Sequence, residues 1–338
     1  MFNLDKIVSS LKDKKNLSKD ESFYISEKMF EGALSDTEIK DILILLNEKG
    51  IATTEVVGFA QAMRQISTKV SIDEKVIDCC GTGGDGLNTF NISTCAAFIA
   101  AASGAKLAKH GNKAITSKSG SADLLHDAGA KLDLTPEQVS ECIKNINFGF
   151  MFAPLHHKAM KNVAASRKSI APNKTIFNML GPITNPANAQ LQIIGVFDKD
   201  AMQLIADSLL ELETSRAIVL TSRDGMDEAS IYTQTDIIEI NAGKQIEYVI
   251  DPREYGISGK DINSIKTNDD KSSLDIIFSV INNDESDAKE ISILNAALSV
   301  MLYKDIELGD AIIQCRKSVE EYLVRDKFNQ YIDYTNQV

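Results

Sequence analysis

The stretch from Val76 to Asn112 gathers residue types that could hold an anion. A short apolar run, Val76-Ile77, enters Gly81-Thr82-Gly83-Gly84-Asp85-Gly86, which has four glycines in six positions. Glycine tolerates positive φ and lets backbone N–H groups approach a ligand. The run therefore reads as a phosphate cradle at a strand-to-helix turn, the alternative being a plain tight turn. Asn91-Ile92-Ser93-Thr94 then opens a small-residue helix. Polar residues there are good N-caps; beside a phosphate they could also bind anionic oxygens, and a Ser hydroxyl can ligate Mg²⁺. A second apolar run ends in Lys109-His110-Gly111-Asn112-Lys113, followed by Thr116-Ser117-Lys118-Ser119-Gly120-Ser121. This is either a solvated loop or a binding loop, and its place after a strand on the same sheet edge favours binding. Asp224-Gly225-Met226-Asp227-Glu228 could bring two carboxylates onto one metal if it forms a turn, or it could be a surface acidic turn. Carboxylates, a Ser oxygen and phosphate oxygens would make a Mg²⁺ site, not a zinc one. Arg167 is a candidate to hold a carboxylate bidentately. His156 and His157 sit near an apolar run, where histidine is usually structural.

Three familiar chemistries fail on context. Gly81, Gly83 and Gly86 match G-x-G-x-x-G, but Leu87 to Phe90 separate the third glycine from the helix. The next strand ends in Lys109-His110, with no acidic residue for a ribose diol. No Gly-Lys-Ser/Thr follows, so this is not a Walker loop. Ser93, His110 and Asp85 make a triad only on paper, because no G-x-S-x-G elbow is present.

The elements that must place these residues fall into two regions. Residues 1 to 72 read as a small helical domain, marked by capping-box spacing at Ser18/Glu21 and Ser35/Glu38 and a helix stop at Gly50. Residues 73 to 338 read as α/β with a central, largely parallel sheet. Strand candidates are Val76–Ile77, Lys106–Ala108, Phe148–Phe152, Leu191–Phe197, Arg216–Thr221 and Glu247–Ile250. Residues 157–190 interrupt the alternation and are expected to return in part to the helical domain.

Composition narrows the partners. The chain has 338 residues, 43% hydrophobic and 25% charged, ordinary values for a globular protein. A net charge of −12 disfavours nucleic acid or an anionic membrane as a general partner. No apolar run approaches the ~20 residues of a membrane span. No secretory leader is expected from the mixed N-terminal sequence. Five scattered cysteines without a CxxC pair suggest neither disulfides nor structural zinc, so a reducing cytoplasm is expected.

Taken together, the motifs resemble the anthranilate phosphoribosyltransferase family. The resemblance rests on Asp78–Gly86, Asn88–Thr94, Lys109–Asn112, Ser119-Gly120-Ser121, Thr175–Asn178 with Leu180-Gly181-Pro182, Gly225–Glu228 and Asn295-Ala296-Ala297. It implies transfer of a 5-phosphoribosyl group from phosphoribosyl pyrophosphate (PRPP) to the amine of anthranilate. By the same resemblance, Gly81, Gly84, Asp85, Thr89, Asn91, Ile92, Ser93 and Thr94 would line the PRPP site. Lys109, His110, Gly111, Asn112, Lys113, Ala114, Ile115, Thr116, Ser117 and Ser121 would complete it. Ser93, Asp227 and Glu228 would hold two Mg²⁺ ions per subunit, and Gly81, Asn112 and Arg167 would contact anthranilate. A helical domain hinged to an α/β domain, and a homodimer through the helical part, are also implied. Lys113 and Lys174 depart from the family, which usually has Arg there. Two other readings stay open: a pyrimidine nucleoside phosphorylase of the same fold, and a non-catalytic nucleic-acid-binding relative.

Overall fold

The computed structural model describes residues 3–113, 120–268 and 271–338. Four helices, Leu4–Lys12, Lys19–Phe30, Asp36–Lys49 and Thr53–Ile66, form an N-terminal bundle. Their ends follow local chemistry. Ser18 and Ser35 each accept the N–H of the third helical residue at 3.3 Å, and Glu21 and Glu38 reach back to the cap. Gly50 ends the third helix at φ 87°, a conformation that Cβ disfavours. The bundle's core takes Ile25, Met29, Ile39, Leu43, Leu46, Val56 and Phe59, all at most 1% exposed.

Two later helices, Lys161–Ser169 and Phe177–Ile183, pack on this bundle. The Phe177 ring meets Phe30 and Phe59 edge-on at 6.0 and 5.8 Å. Asn47 Nδ2 donates to the Lys174 carbonyl at 2.6 Å, and Arg64 Nε to that of Ile183 at 2.9 Å.

The remainder is built on a sheet of seven strands: β1 Ile77–Gly81, β2 Leu107–Gly111, β3 Phe148–Phe152, β4 Leu191–Gly195, β5 Arg216–Ser222, β6 Thr235–Asn241 and β7 Lys244–Ile250. Their spatial order is β3-β2-β1-β4-β5-β6-β7. β1 to β5 pair in parallel, while β6 and β7 add an antiparallel hairpin at one edge. Successive residues face opposite cores: Ile193, Ile218 and Ile237 point to one, and Ile194, Val219 and Ile238 to the other. The first core is covered by the helices Ile92–Ala102, Pro136–Ile146, Asp287–Lys304, Leu308–Glu320 and Leu323–Gln337. The second is covered by the helix Lys199–Glu211 and the N-terminal bundle.

β6 was not among the expected strands, and β7 begins at Lys244, earlier than Glu247. Its signal was the turn: Ala242 and Gly243 both have positive φ (48° and 75°), the pattern of a tight two-residue hairpin. Among the described residues no helix is long and apolar enough to cross a membrane.

Candidate active site

The chain leaves β1, builds outward through β2 and β3, and returns on β1's other side as β4. Such a switch point opens a crevice at the carboxyl ends of the strands. The glycine-rich loop sits there. Thr82 N donates to the Gly195 carbonyl at 2.9 Å, and Gly83 N to Asp227 Oδ2 at 2.8 Å. Gly83, Gly84 and Gly86 hold φ of 66°, 83° and 75°, so the loop's path requires residues without Cβ. Gly81 and Gly195 are needed for another reason. A Cβ on Gly81 would collide with Asp227 Oδ2, and one on Gly195 with the Asp227 carbonyl oxygen.

The acidic loop after β5 is braced on several sides. Ser222 Oγ donates to the Glu228 carbonyl at 2.6 Å, and Ser230 Oγ to Asp224 Oδ2 at 2.6 Å. Asn295 makes a matched pair with the Ala229 backbone, accepting from its N–H and donating to its carbonyl, both at 2.9 Å. These bonds aim Asp227 and Glu228 toward Asp85, so that one carboxylate oxygen from each lies within 4.8 Å of the others. Asp85 Oδ2 and Glu228 Oε2 are buried without a hydrogen-bond partner among the described residues. Burial, then Asp227, then Asp85 push the Glu228 carboxyl well above the usual carboxylate range; burial and Asp227 push Asp85 up as well. Three converging carboxylates with orphaned oxygens fit a hard divalent cation such as Mg²⁺, and the all-oxygen donor set does not suit a soft metal.

Beneath both loops lies a polar floor. Asp78 on β1 is fully buried, and burial raises its pKa. It accepts from Asn185 Nδ2 at 2.7 Å and from His110 N at 3.2 Å. Lys109, only 1% exposed, donates to the Cys79 carbonyl at 2.6 Å and to Ser93 Oγ at 3.3 Å. The Ser93 hydroxyl thus meets Lys109, and it is Asp85 that groups with Asp227 and Glu228. Thr94 is buried with Oγ1 unpartnered, and Ile92 is wholly in the core, so only its backbone could serve a ligand. Thr89 bridges Lys266, and Asn91 pairs with Ser273. His110 Nδ1 lies 3.2 Å from the Gly181 carbonyl, and its ring is 5.0 Å from that of His157. Burial pushes these two imidazoles down to about 4 and about 3. Among the described residues neither ring nitrogen of His157 has a hydrogen-bond partner.

Gly111 leaves no room for a Cβ against Ser121 Oγ and Phe150. Ser121 Oγ donates to the Asn112 carbonyl at 3.4 Å, and Asn112 Oδ1 accepts from Lys113 N at 2.8 Å. Ala114, Ile115, Thr116 and Ser117 lie outside the described residues. Arg167 is half-buried with its guanidinium 5.2 Å from the centre of the Phe177 ring. Burial alone lowers its pKa, with no carboxylate opposing it. Lys174 Nζ lies over the Phe197 ring and donates to the Gly84 carbonyl at 3.2 Å. A cavity of about 440 Å³ opens there, lined by Thr82, Gly83, Lys174, Phe197 and the bundle's Asn47 and Ile51. None of the three carboxylates lines it, so this cavity and the charged cluster are separate features of the crevice.

A family model described as the a/b domain of a glycosyl transferase family matches residues 73–323, and that for the helical bundle domain of such a family matches residues 5–67. The chain is 41% identical over 331 residues to anthranilate phosphoribosyltransferase of Hydrogenovibrio crunogenus, covering 97% of each. It is 39% identical to the enzyme of that name from a Thermoanaerobacter species, covering 99% of each. The chain belongs to the anthranilate phosphoribosyltransferase family. Its backbone superposes on the family's Thermus thermophilus structure with a TM-score of 0.91 at 28% identity, covering 98% of this chain and 99% of that one. The Saccharomyces cerevisiae structure, solved in complex with PRPP and Mg, shares the fold at a TM-score of 0.89 and 23% identity.

Some groups that shape this family site carry no local signal. Asp85 was read as a wall of the PRPP pocket; its grouping with Asp227 and Glu228 spans 142 and 143 positions of sequence and depends on the β1–β4–β5 order. The Asn185–Asp78 bond crosses 107 positions. Lys174 stood out only as a replacement for Arg, yet it reaches the glycine loop directly.

Proposed function

We propose that this chain transfers the 5-phosphoribosyl group of PRPP to the amine of anthranilate, releasing pyrophosphate, as a step of tryptophan biosynthesis. The observation that carries the reading is the three-carboxylate cluster set against a glycine-rich loop at the sheet's switch point. Ser93, Asp227 and Glu228 hold two Mg²⁺ ions per subunit in this reading, with Asp85 as their neighbour. Bound magnesium neutralises charge that grows on the departing pyrophosphate. The residues of the chain do the rest. Backbone N–H groups of Gly81–Gly86 and Asn91–Thr94, with Lys109 to Ser117 and Ser121, orient the phosphates. Arg167 holds the anthranilate carboxylate, while Gly81 and Asn112 confine its ring.

The acceptor is an aromatic amine, neutral and nucleophilic near pH 7, so positioning matters more than a strong base. No covalent nucleophile is needed. The cysteines nearest the loop, Cys79 and Cys80, have thiols pushed up by burial and so are poor thiolates. Approach of the bundle to the glycine loop across the 440 Å³ cavity would exclude water, which otherwise hydrolyses PRPP. The active form in this reading is a cytoplasmic homodimer joined through the bundle.

The acidic cluster and Arg167 weigh against a phosphorylase, since phosphorolysis needs neither a metal pair nor a carboxylate clamp. The test is anthranilate fluorescence. Its loss on mixing anthranilate, PRPP, Mg²⁺ and protein is expected. Persistent fluorescence, with phosphate-dependent cleavage of a pyrimidine nucleoside instead, would replace this reading.

A further inference from the structure

The segment after β7 holds the exit of the glycine loop from a distance. Phe90 N donates to the Ile265 carbonyl at 2.9 Å, and Thr89 bridges Lys266. Thr267 donates to the Asn88 carbonyl twice, from N at 2.9 Å and from Oγ1 at 3.1 Å. Ser273 Oγ accepts from Asn91 N and donates to Asn91 Oδ1, both at 2.8 Å, across 182 positions of sequence. Each residue from 88 to 91, the entry to the Ser93-Thr94 turn, is thus tied to this strap.

The strap converges on one carboxylate. Asp287 Oδ2 accepts from Lys260 N at 2.8 Å, Asp261 N at 2.9 Å and Tyr232 Oη at 3.1 Å, and Ser264 Oγ, which donates to the Asp261 carbonyl at 2.7 Å, closes the turn beside it. Asp287 is 9% exposed and opens the helix Asp287–Lys304. Tyr232 belongs to the other half of the site: its N–H donates to Ser230 Oγ at 3.0 Å, in the acidic loop. Gly259 N also donates to the Ile231 carbonyl at 2.8 Å. The same helix carries Asn295, which braces Ala229. A buried carboxylate with three donors on one oxygen, two of them backbone N–H groups under 3 Å, makes a stiff joint, because charge-assisted bonds are short and strong.

We propose that Asp287 is a positioning residue for the diphosphate end of the site, joining the phosphate-loop exit at Asn88–Asn91 to the acidic loop at Asp227–Ser230. This rests on the PRPP reading of those residues. Asp287 touches no substrate; it acts through the strap, and the geometry it fixes is where small displacements cost most.

The experiment compares wild type with Asp287→Asn, which keeps shape and loses charge, and with Ser273→Ala, which removes only the Asn91 clamp. Amide hydrogen exchange is read without ligand, and both KM values and PRPP–Mg²⁺ binding by calorimetry are read with it. Asp287→Asn should speed exchange at residues 88–91 and raise the PRPP KM and Kd about tenfold, with the anthranilate KM within about twofold. Ser273→Ala should move the same quantities less. Wild-type PRPP affinity in Asp287→Asn, or equal weakening for both substrates, would overturn the proposal. Should Asp287→Asn fail to fold, unchanged PRPP affinity in Ser273→Ala would overturn it. If wild type binds no PRPP, the functional reading falls, and ligand-free exchange at residues 88–91 still decides whether Asp287 holds them.

Discussion

The two loops that meet in the crevice are built in opposite ways. The acidic loop is fastened to its surroundings: Ser222, Ser230 and Asn295 each bond it, Met226 is wholly buried, and Asp227 is 8% exposed. The glycine loop is open. Gly83, Gly84 and Gly86 are exposed, and among the described residues a Cβ on Gly83 or Gly86 would meet nothing within 4 Å. Its tethers include Thr82 to Gly195, Gly83 to Asp227, Lys174 to Gly84 and the strap at its exit. A site that must hold a multivalent cation gains from a prearranged cage, whereas one that must wrap phosphates gains from a backbone that can adjust. The acidic loop is thus the fixed side of the crevice, and the glycine loop the exposed, adjustable one.

The largest effect should come from disarming the fixed side. Asp227→Asn with Glu228→Gln removes two of three converging carboxylates, and turnover should fall by at least about a thousandfold. Circular dichroism should stay that of wild type, because the brace runs through backbone groups of Glu228 and Ala229, not through the lost charges. A magnesium titration checks the cause: saturable dependence in wild type should vanish in the variant. Unchanged activity would end the metal assignment.

The next contrast tests rigidity itself. Gly195→Ala drives a methyl into the Asp227 carbonyl, which the brace holds in place. Overpacking at a site that cannot yield should cost about 3 kcal/mol. Gly86→Ala meets no atom and suffers only from its φ of 75°, a cost of about 1–2 kcal/mol. Urea unfolding of the two variants measures both. Equal losses would mean that the acidic loop yields as readily as the glycine loop, which contradicts the comparison.

What could be seen in sequence follows the same division. Capping boxes at Ser18 and Ser35, the stop at Gly50 and the glycines at 81–86 are local devices whose causes lie within a few residues, and they were legible. The acidic pair was legible as a turn, because Gly225 sits at φ 87° between carboxylates. The partners that give these pieces meaning were not. Asp85 joins the cluster only once β1 and β5 flank β4, and Asn295 finds Ala229 only once its helix covers the sheet. β6 escaped because Asp236 and Glu239 break its apolar residues without regular alternation, and their charges are satisfied by Arg223 and Lys199 and by Arg216 from elsewhere in the chain.

Substrate discrimination should show a smaller and one-sided effect. Arg167 is half-buried, with its guanidinium near Phe177 and no carboxylate opposing its charge among the described residues. A half-buried cation that faces no carboxylate there is poised for an anionic ligand. Arg167→Ala should raise the anthranilate KM about tenfold or more while the PRPP KM changes less than about twofold. Steady-state kinetics with each substrate varied in turn decides it. Equal changes in the two values would place Arg167 in the scaffold and not against the acceptor.

The smallest effect concerns the floor shared by both loops, which must stay dry if the acidic side is to stay fixed. His110 and His157 are buried side by side, with pKa values pushed down to about 4 and about 3, by burial first in both, then by His156 and Lys109 for His110 and by His110 for His157. Between those values and 6.5 the unfolded chain takes up protons that the folded chain refuses. The stability due to neutral burial is therefore full above pH 6.5 and is lost as pH falls toward 4. One such histidine accounts for about 1 kcal/mol between pH 7 and pH 5.5. His157→Leu should keep the stability of the wild type near pH 7, within the cost of a changed shape, yet lose about that much less on acidification. Thermal melts of both proteins from pH 7 to pH 5.5 measure the difference in slope. Parallel curves would show that protons and water already reach the floor in the folded state, and the acidic loop would then rest on a softer base than its hydrogen bonds imply.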